Sequence, residues 1–212
     1  SRSLGEIVRL GLPAGIQSMM YSISNVMIQS ALNQLGTDSI AAWTSYGKID
    51  AFFWMLLSAF GISITTFVGQ NYGAKRYDRM RRSVWICLGM SMGTAVVISL
   101  VLLFAGKYLF YIFTDDMGVI DIGMEILRYM VPAYFMYVFI EILSGALRGM
   151  GDVIVPMIMT CVGVCVLRIV WIQVAVPIWP TIRTIIFSYP LTWAITAVMF
   201  IFYYYRRQKR FC

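Results

Sequence analysis

The chain has 212 residues, of which 60% are hydrophobic and only 13% charged, where a soluble domain has about half and about a quarter, so a soluble globular fold is excluded. Its net charge of +7 comes from basic residues that flank apolar blocks, a pattern that reports membrane orientation and argues against nucleic-acid binding. No histidine is present, which removes Ser-His-Asp and Cys-His catalysis and histidine-held zinc.

Six apolar blocks each reach the roughly 20 residues that span a bilayer core, so the chain is expected to be an all-α integral membrane protein with six transmembrane helices. The four cysteines have no CxxC spacing and are expected to be small packing residues, not a disulfide framework. With no paired-aspartate motif and no Ser-Lys arrangement at helical spacing, the sequence does not read as an enzyme and calls for no cofactor. It begins with Ser1, not methionine, which leaves a piece of a longer chain as one of the readings.

The first span runs from about Ile7 to Leu32. Gly11 and Gly15 have the small-x-x-x-small spacing that permits close helix approach. Ser18, Ser22, Asn25, Gln29 and Asn33 recur every three or four residues and share one face. Hydrocarbon contact is costly for such a face, so it should meet either another helix through hydrogen bonds or a watery cavity.

After the polar turn Asn33 to Asp38, the second span runs from about Ser39 to Val68 and is long enough to require tilt, a kink near Gly61 or extension beyond the bilayer. Lys48 and Asp50 lie some 10 residues inside it, about 15 Å by helix rise. Ionisable residues at that depth are candidate functional residues, and residues two apart do not share a face, so each needs a separate partner. The stretch from Val68 to Arg82 is the longest polar interruption. It is expected to be a loop in which Gly69 and Gly73 let the chain turn.

A third span, about Val84 to Ala105, carries Gly89 and Gly93 at close-packing spacing. Lys107 to Phe113 reads as an interfacial segment and Thr114 to Gly118 as a turn. In the fourth span, about Ile120 to Leu147, Arg128 is expected to pair with Glu125 or Asp121. Glu141 lies about 10 Å inside the membrane by helix rise, with Tyr134 and Tyr137 on its face and Arg148 as its basic neighbour. Two readings stay open for it, a snorkelling ion pair with Arg148 and a functional carboxylate.

Arg148 to Asp152 forms a tight turn whose two glycines accommodate positive φ. The fifth span, about Val153 to Ala175, has Pro156 in its first turn and Arg168 far along it. The sixth, about Ile182 to Tyr205, contains Pro190, and Arg206 to Arg210 close the chain. One side of the membrane collects Arg2, Arg9, the five basic residues of 75–82, Arg148 and the four of the tail, and the other only Lys107 and Arg183. Twelve against two places both termini in the cytoplasm of a plasma (inner) membrane protein.

Gly11-Leu12-Pro13-Ala14-Gly15, Leu35-Gly36-Thr37-Asp38 followed by Ala41-Ala42, Gly69-Gln70-Asn71-Tyr72-Gly73-Ala74, and Leu147-Arg148-Gly149-Met150-Gly151-Asp152 together resemble the multidrug and toxic compound extrusion (MATE) family. The resemblance covers nearly the whole chain. It implies a secondary transporter of two six-helix lobes around a central cavity, driven by sodium or proton entry and exporting organic cations, dyes and drugs. The chain supplies one lobe, 1–212. Ser22-Ile23-Ser24-Asn25 looks more like the C-terminal lobe, because Val26-Met27-Ile28 stands where the first lobe's opening helix usually carries an acidic residue.

The partners so implied are the lipid bilayer, the organic cation and an N-terminal six-helix lobe. Asp50 and Glu141 become the candidates for sodium or proton coupling, with Asn25, Gln29, Tyr137, Lys48 and Arg168 as further coupling or substrate contacts. A half-size transporter that pairs to rebuild two lobes, and a lipid-linked or polysaccharide flippase of the same superfamily, are the alternatives. Flippase cavities tend to be strongly basic, and only Lys48 and Arg168 are available here.

Overall fold

The structure, a computed structural model, describes the backbone of residues 2–209 and the side chains of residues 11–209. The side chains of Arg2 and Arg9, and Arg210 and Cys212, lie outside the described residues. Six helical rods follow one another: α1 (Arg2–Asn33), α2 (Thr37–Gly73), α3 (Tyr77–Tyr111), α4 (Met117–Gly149), α5 (Ile154–Ala175) and α6 (Ile182–Gln208). Among the described residues, the five helices α2 to α6 are long and apolar enough to cross a membrane. The rod α1 is the one with the polar stripe.

The rods reach further than the apolar blocks, because a helix needs only its own backbone hydrogen bonds and a polar end can extend past the hydrocarbon. Lys107 to Tyr111 continue α3 as helix. One expectation falls for this reason: most of 68–82 is helical, and only 74–76 separate α2 from α3. Neither Gly69 nor Gly73 makes that turn, since Lys75 takes the left-handed conformation, φ 56°. Gly36 and Gly151 do serve as turn glycines, at φ 98° and 82°, whereas Gly149 ends the α4 helix.

The core is built on α4, whose most apolar stretch is 72% buried, against 22–50% in the other four apolar rods. Pro132 cannot donate an N–H and a short 3-10 turn, Val131–Ala133, interrupts the rod there. Below that turn α4 crosses α2 at very short range. A Cβ on Gly145 would lie 2.9 Å from the Gly61 carbonyl oxygen, and one on Gly149 2.6 Å from that of Thr65. Thr65 Oγ1 donates to the Gly145 carbonyl at 3.1 Å, bridging the two backbones.

The glycines expected to pack closely do not. Cβ atoms at Gly11, Gly15, Gly89 or Gly93 would meet nothing within 4 Å. Small-residue spacing permits approach, but only a facing helix makes use of it, and these four face away from the other rods. Gly61 likewise produces no break in α2. It makes room for the Glu141 carboxylate, which a side chain there would overlap.

The turns sort by end. At one end Asp152 accepts a hydrogen bond from Tyr203 at 2.5 Å and pairs with Arg207 at 3.8 Å, while Arg81 Nη2 donates to the Gln208 carbonyl at 3.2 Å. The 74–76 turn, the 150–153 turn and the tail therefore meet there. At the other end Arg183 pairs with Glu125. That contact corrects the expectation that Glu125 serves Arg128. A residue three away on the same helix is only one of the available partners, and α6 brings a second cation from outside.

Candidate functional site

The face of α2 that turns inward carries Trp43, Tyr46, Asp50 and Trp54, spaced three or four residues apart. Asp50 is 6% exposed, and both of its oxygens are used: Trp54 Nε1 donates to Oδ2 and Tyr134 Oη, from α4, donates to Oδ1. The Tyr134 and Tyr46 hydroxyls lie 3.2 Å apart, so one can support the other. Phe53 stacks on Tyr134 with ring centroids 4.0 Å apart and planes 8° from parallel, which fixes the donor in place. A carboxylate buried among rings is thus held by hydrogen bonds instead of by an ion pair.

Beside it opens a cavity of about 440 Å³ between α1, α2, α4, α5 and α6. Its wall is a run of touching rings: Trp43 to Tyr189 at 5.7 Å, Tyr189 to Trp193 at 5.6 Å, Trp193 to Tyr137 at 5.2 Å and Tyr137 to Trp54 at 4.6 Å between centroids. Most of these contacts are tilted or edge-to-face, the arrangement that the ring quadrupoles favour. Tyr21 from α1 closes the wall through a 3.0 Å hydroxyl contact with Tyr137. The negative faces of such rings attract an organic cation, and Asp50 adds a full negative charge.

Of the seven residues singled out in the sequence, the structure brings Asp50, Asn25, Tyr137 and Arg168 to this cavity. It does not bring the other three. Lys48 points to an exposed face, its Nζ 5.2 Å from the centre of the Phe113 ring. Gln29 donates to Asn33 along α1 at 3.1 Å. Among the described residues the α1 stripe makes no hydrogen bond to another helix of this lobe. Only Asn25, at the edge of the stripe, reaches the cavity.

Glu141 lies apart. It faces Gly61, 11 residues beyond Asp50 on α2, or about 16 Å by helix rise. Its Oε1 sits 3.6 Å from Arg148 Nη2, which is the snorkelling pair considered above, with both side chains about a quarter to a third exposed. The two carboxylates therefore belong to different places.

Arg168 is buried, at 2% exposure, with its Cζ 3.8 Å from the centre of the Tyr189 ring. It follows a π-helical turn, Cys161–Val166, that interrupts α5. Such a turn takes in one extra residue and rotates everything after it by about 100° relative to a continuous helix. Cys161 and Cys165 lie within the turn as free thiols.

The aromatic wall itself escaped the residue-by-residue reading. Trp43, Trp54, Tyr189 and Trp193 are ordinary core aromatics when seen singly. Their signal was their shared face with Asp50 on α2 and the four-residue spacing of Tyr189 and Trp193 on α6.

The MatE family model matches residues 13–173. The chain is 26% identical over 156 residues to a probable multidrug resistance protein, YoeA, of Bacillus subtilis, covering 73% of this chain and 33% of that protein. It is 25% identical over 167 residues to a probable multidrug resistance protein, NorM, of Thermotoga maritima, covering 77% and 35%. Among solved structures, an outward-facing multidrug resistance MATE family transporter of the MOP superfamily superimposes with a TM-score of 0.89 at 16% identity, over 100% of this chain and 48% of that one. A MOP superfamily transporter from Pyrococcus furiosus, described as having a binding pocket of reverse polarity, gives 0.88 at 20% identity, over 96% and 45%. The chain thus spans about a third of the length of the curated relatives it matches and just under half of the solved transporters. Both solved structures are described as transporters.

Proposed function

The chain belongs to the MatE family, and from that premise we propose that it is one six-helix lobe of a cation-coupled multidrug efflux antiporter. All six helices, α1 included, cross the plasma membrane, with both termini in the cytoplasm. The second lobe comes from the same polypeptide or from a partner. The Ser22 to Asn25 stretch, without an acidic residue after it, fits the C-terminal lobe.

The observation that carries this reading is the aromatic cavity with Asp50 at its edge. Lipophilic organic cations bind where rings and one negative charge converge, and the geometry offers both within about 440 Å³. The same carboxylate can take up a sodium ion or a proton, and either changes the charge the cavity presents. Binding of the coupling ion then competes with binding of the organic cation, and alternation between lobe arrangements turns that competition into exchange. Glu141, some 16 Å further along α2, gives the lobe a second carboxylate near the end that carries most of the basic residues. Its charge is balanced by Arg148 and its setting is the tight α2–α4 crossing. It would act there on the crossing and not on substrate.

The test is cation-driven efflux of ethidium from cells that carry the full two-lobe transporter. Asp50→Asn reduces export strongly without preventing insertion, and Glu141→Gln reduces it as well. Unchanged efflux in both variants would remove these carboxylates from the mechanism.

A further inference from the structure

One buried charge of the cavity takes no part in that exchange. Arg168 is 2% exposed and lines the same cavity as Asp50. One of its terminal nitrogens reaches Thr192 Oγ1 at a long 3.4 Å, and its Nε has no hydrogen-bond partner among the described residues. None of the ion pairs among the described residues includes it. Asp50 is not in ion-pair contact with it either; its oxygens accept from Trp54 and Tyr134.

A guanidinium at membrane depth is costly unless something offsets its charge. The Tyr189 face at 3.8 Å offsets part of that cost. The π turn makes the placement specific, since it sets the rotation that aims residue 168 inward. At that turn Gly163 packs so closely on Thr196 of α6 that a Cβ would overlap it. The arrangement is a held, incompletely bonded cation on the wall of a cavity whose other charge is a carboxylate, stacked on Tyr189 of the ring wall.

We propose that Arg168 is an acid-group subsite. The ligand class of this cavity is the aromatic zwitterion, with its cationic end at Asp50 and the rings and its carboxylate or similar anion on the Arg168 fork. This rests on the cavity being the transport site and adds to it a specificity that a purely cation-binding pocket lacks. A planar guanidinium suits a carboxylate through two parallel hydrogen bonds, which lysine cannot reproduce.

A matched pair of dyes tests it. Rhodamine 19 carries a free carboxylate beside its xanthylium cation, and rhodamine 6G is its ethyl ester. Binding of each is measured by fluorescence anisotropy to the full transporter in nanodiscs, with empty nanodiscs subtracted. The wild type holds the acid about 10-fold more tightly than the ester, the scale expected of a hydrogen-bonded charge pair. Arg168→Gln brings the ratio to about 1 by weakening the acid alone. Arg168→Lys, which keeps the charge and guards against a folding failure of the glutamine variant, retains an intermediate ratio. Asp50→Asn weakens both dyes.

A wild-type ratio of 1 or below overturns the subsite while leaving a cation cavity in place. A loss of both dyes alike in Arg168→Gln also overturns it, and points to a carboxylate of the other lobe as the partner of Arg168. If neither dye binds the wild type, the cavity reading fails together with the subsite.

Discussion

The α2–α4 crossing gives the sharpest test of how this fold is held, because it divides the glycines of the chain into two groups that look alike in sequence. Gly145→Ala/Gly149→Ala places one methyl 2.9 Å from the Gly61 carbonyl oxygen and another 2.6 Å from that of Thr65, with Val68 Cβ also at 2.9 Å from the second. Both obstacles include backbone, so no side-chain rotation relieves them and α2 must retreat. Overpacking of this kind costs about 1–3 kcal/mol per site, while alanine in place of glycine returns about 1 kcal/mol per site through helix propensity. The net loss is about 2 kcal/mol, or about 4–8 °C in apparent melting temperature for a chain of this size. Gly89→Ala/Gly93→Ala has the same spacing and chemistry but meets no atom within 4 Å, and keeps only the gain of about 2 kcal/mol for the pair, a rise of about 4–8 °C. Thermal unfolding in nanodiscs followed by size-exclusion fluorescence separates the two. Equal shifts in the two double variants would refute the crossing.

Two further perturbations probe the site and the turns. Tyr134→Phe keeps the stack on Phe53 but removes the hydroxyl that donates to Asp50 and touches Tyr46; ethidium efflux should fall about 10-fold, in keeping with the worth of a hydrogen bond to a charged group, and wild-type efflux would argue against the role given to Tyr134. Lys75→Gly relieves a side chain held at φ 56° and should stabilise the protein by about 1 kcal/mol, or about 2–4 °C; a fall in melting temperature would show that the Lys75 side chain contributes more than its backbone costs.

Much of the architecture could be read before the structure. The six rods stand where the apolar blocks put them, because block length and bilayer thickness are matched by the same helix rise. The ends were less legible, since Lys107 to Tyr111 and Val68 to Gly73 are polar enough to read as interface or loop yet satisfy their backbones as helix. Glycine spacing misled for a related reason. Gly89 and Gly93 carry the pattern but no partner, while Gly145 and Gly149 were read as part of a span and a turn.

At the site, depth in the sequence found Asp50, Arg168 and Asn25, because a polar residue far inside an apolar block needs a reason to be there. It also found Lys48, which faces outward over Phe113. Depth along one helix says nothing of direction around it. The aromatic wall was the largest omission, since its rings come from three helices far apart in sequence and only the packing of α2, α4 and α6 assembles them.

The central claim is that the space beside Asp50 is where ligand binds, and filling that space tests it most directly. Gly47 lines the cavity, and a Cβ there meets nothing within 4 Å, so Gly47→Phe can be accommodated while its ring occupies the volume. Ethidium efflux by this variant should drop to the level of cells without the transporter at an unchanged amount of folded protein. Wild-type efflux from a variant that folds and inserts normally would contradict the account.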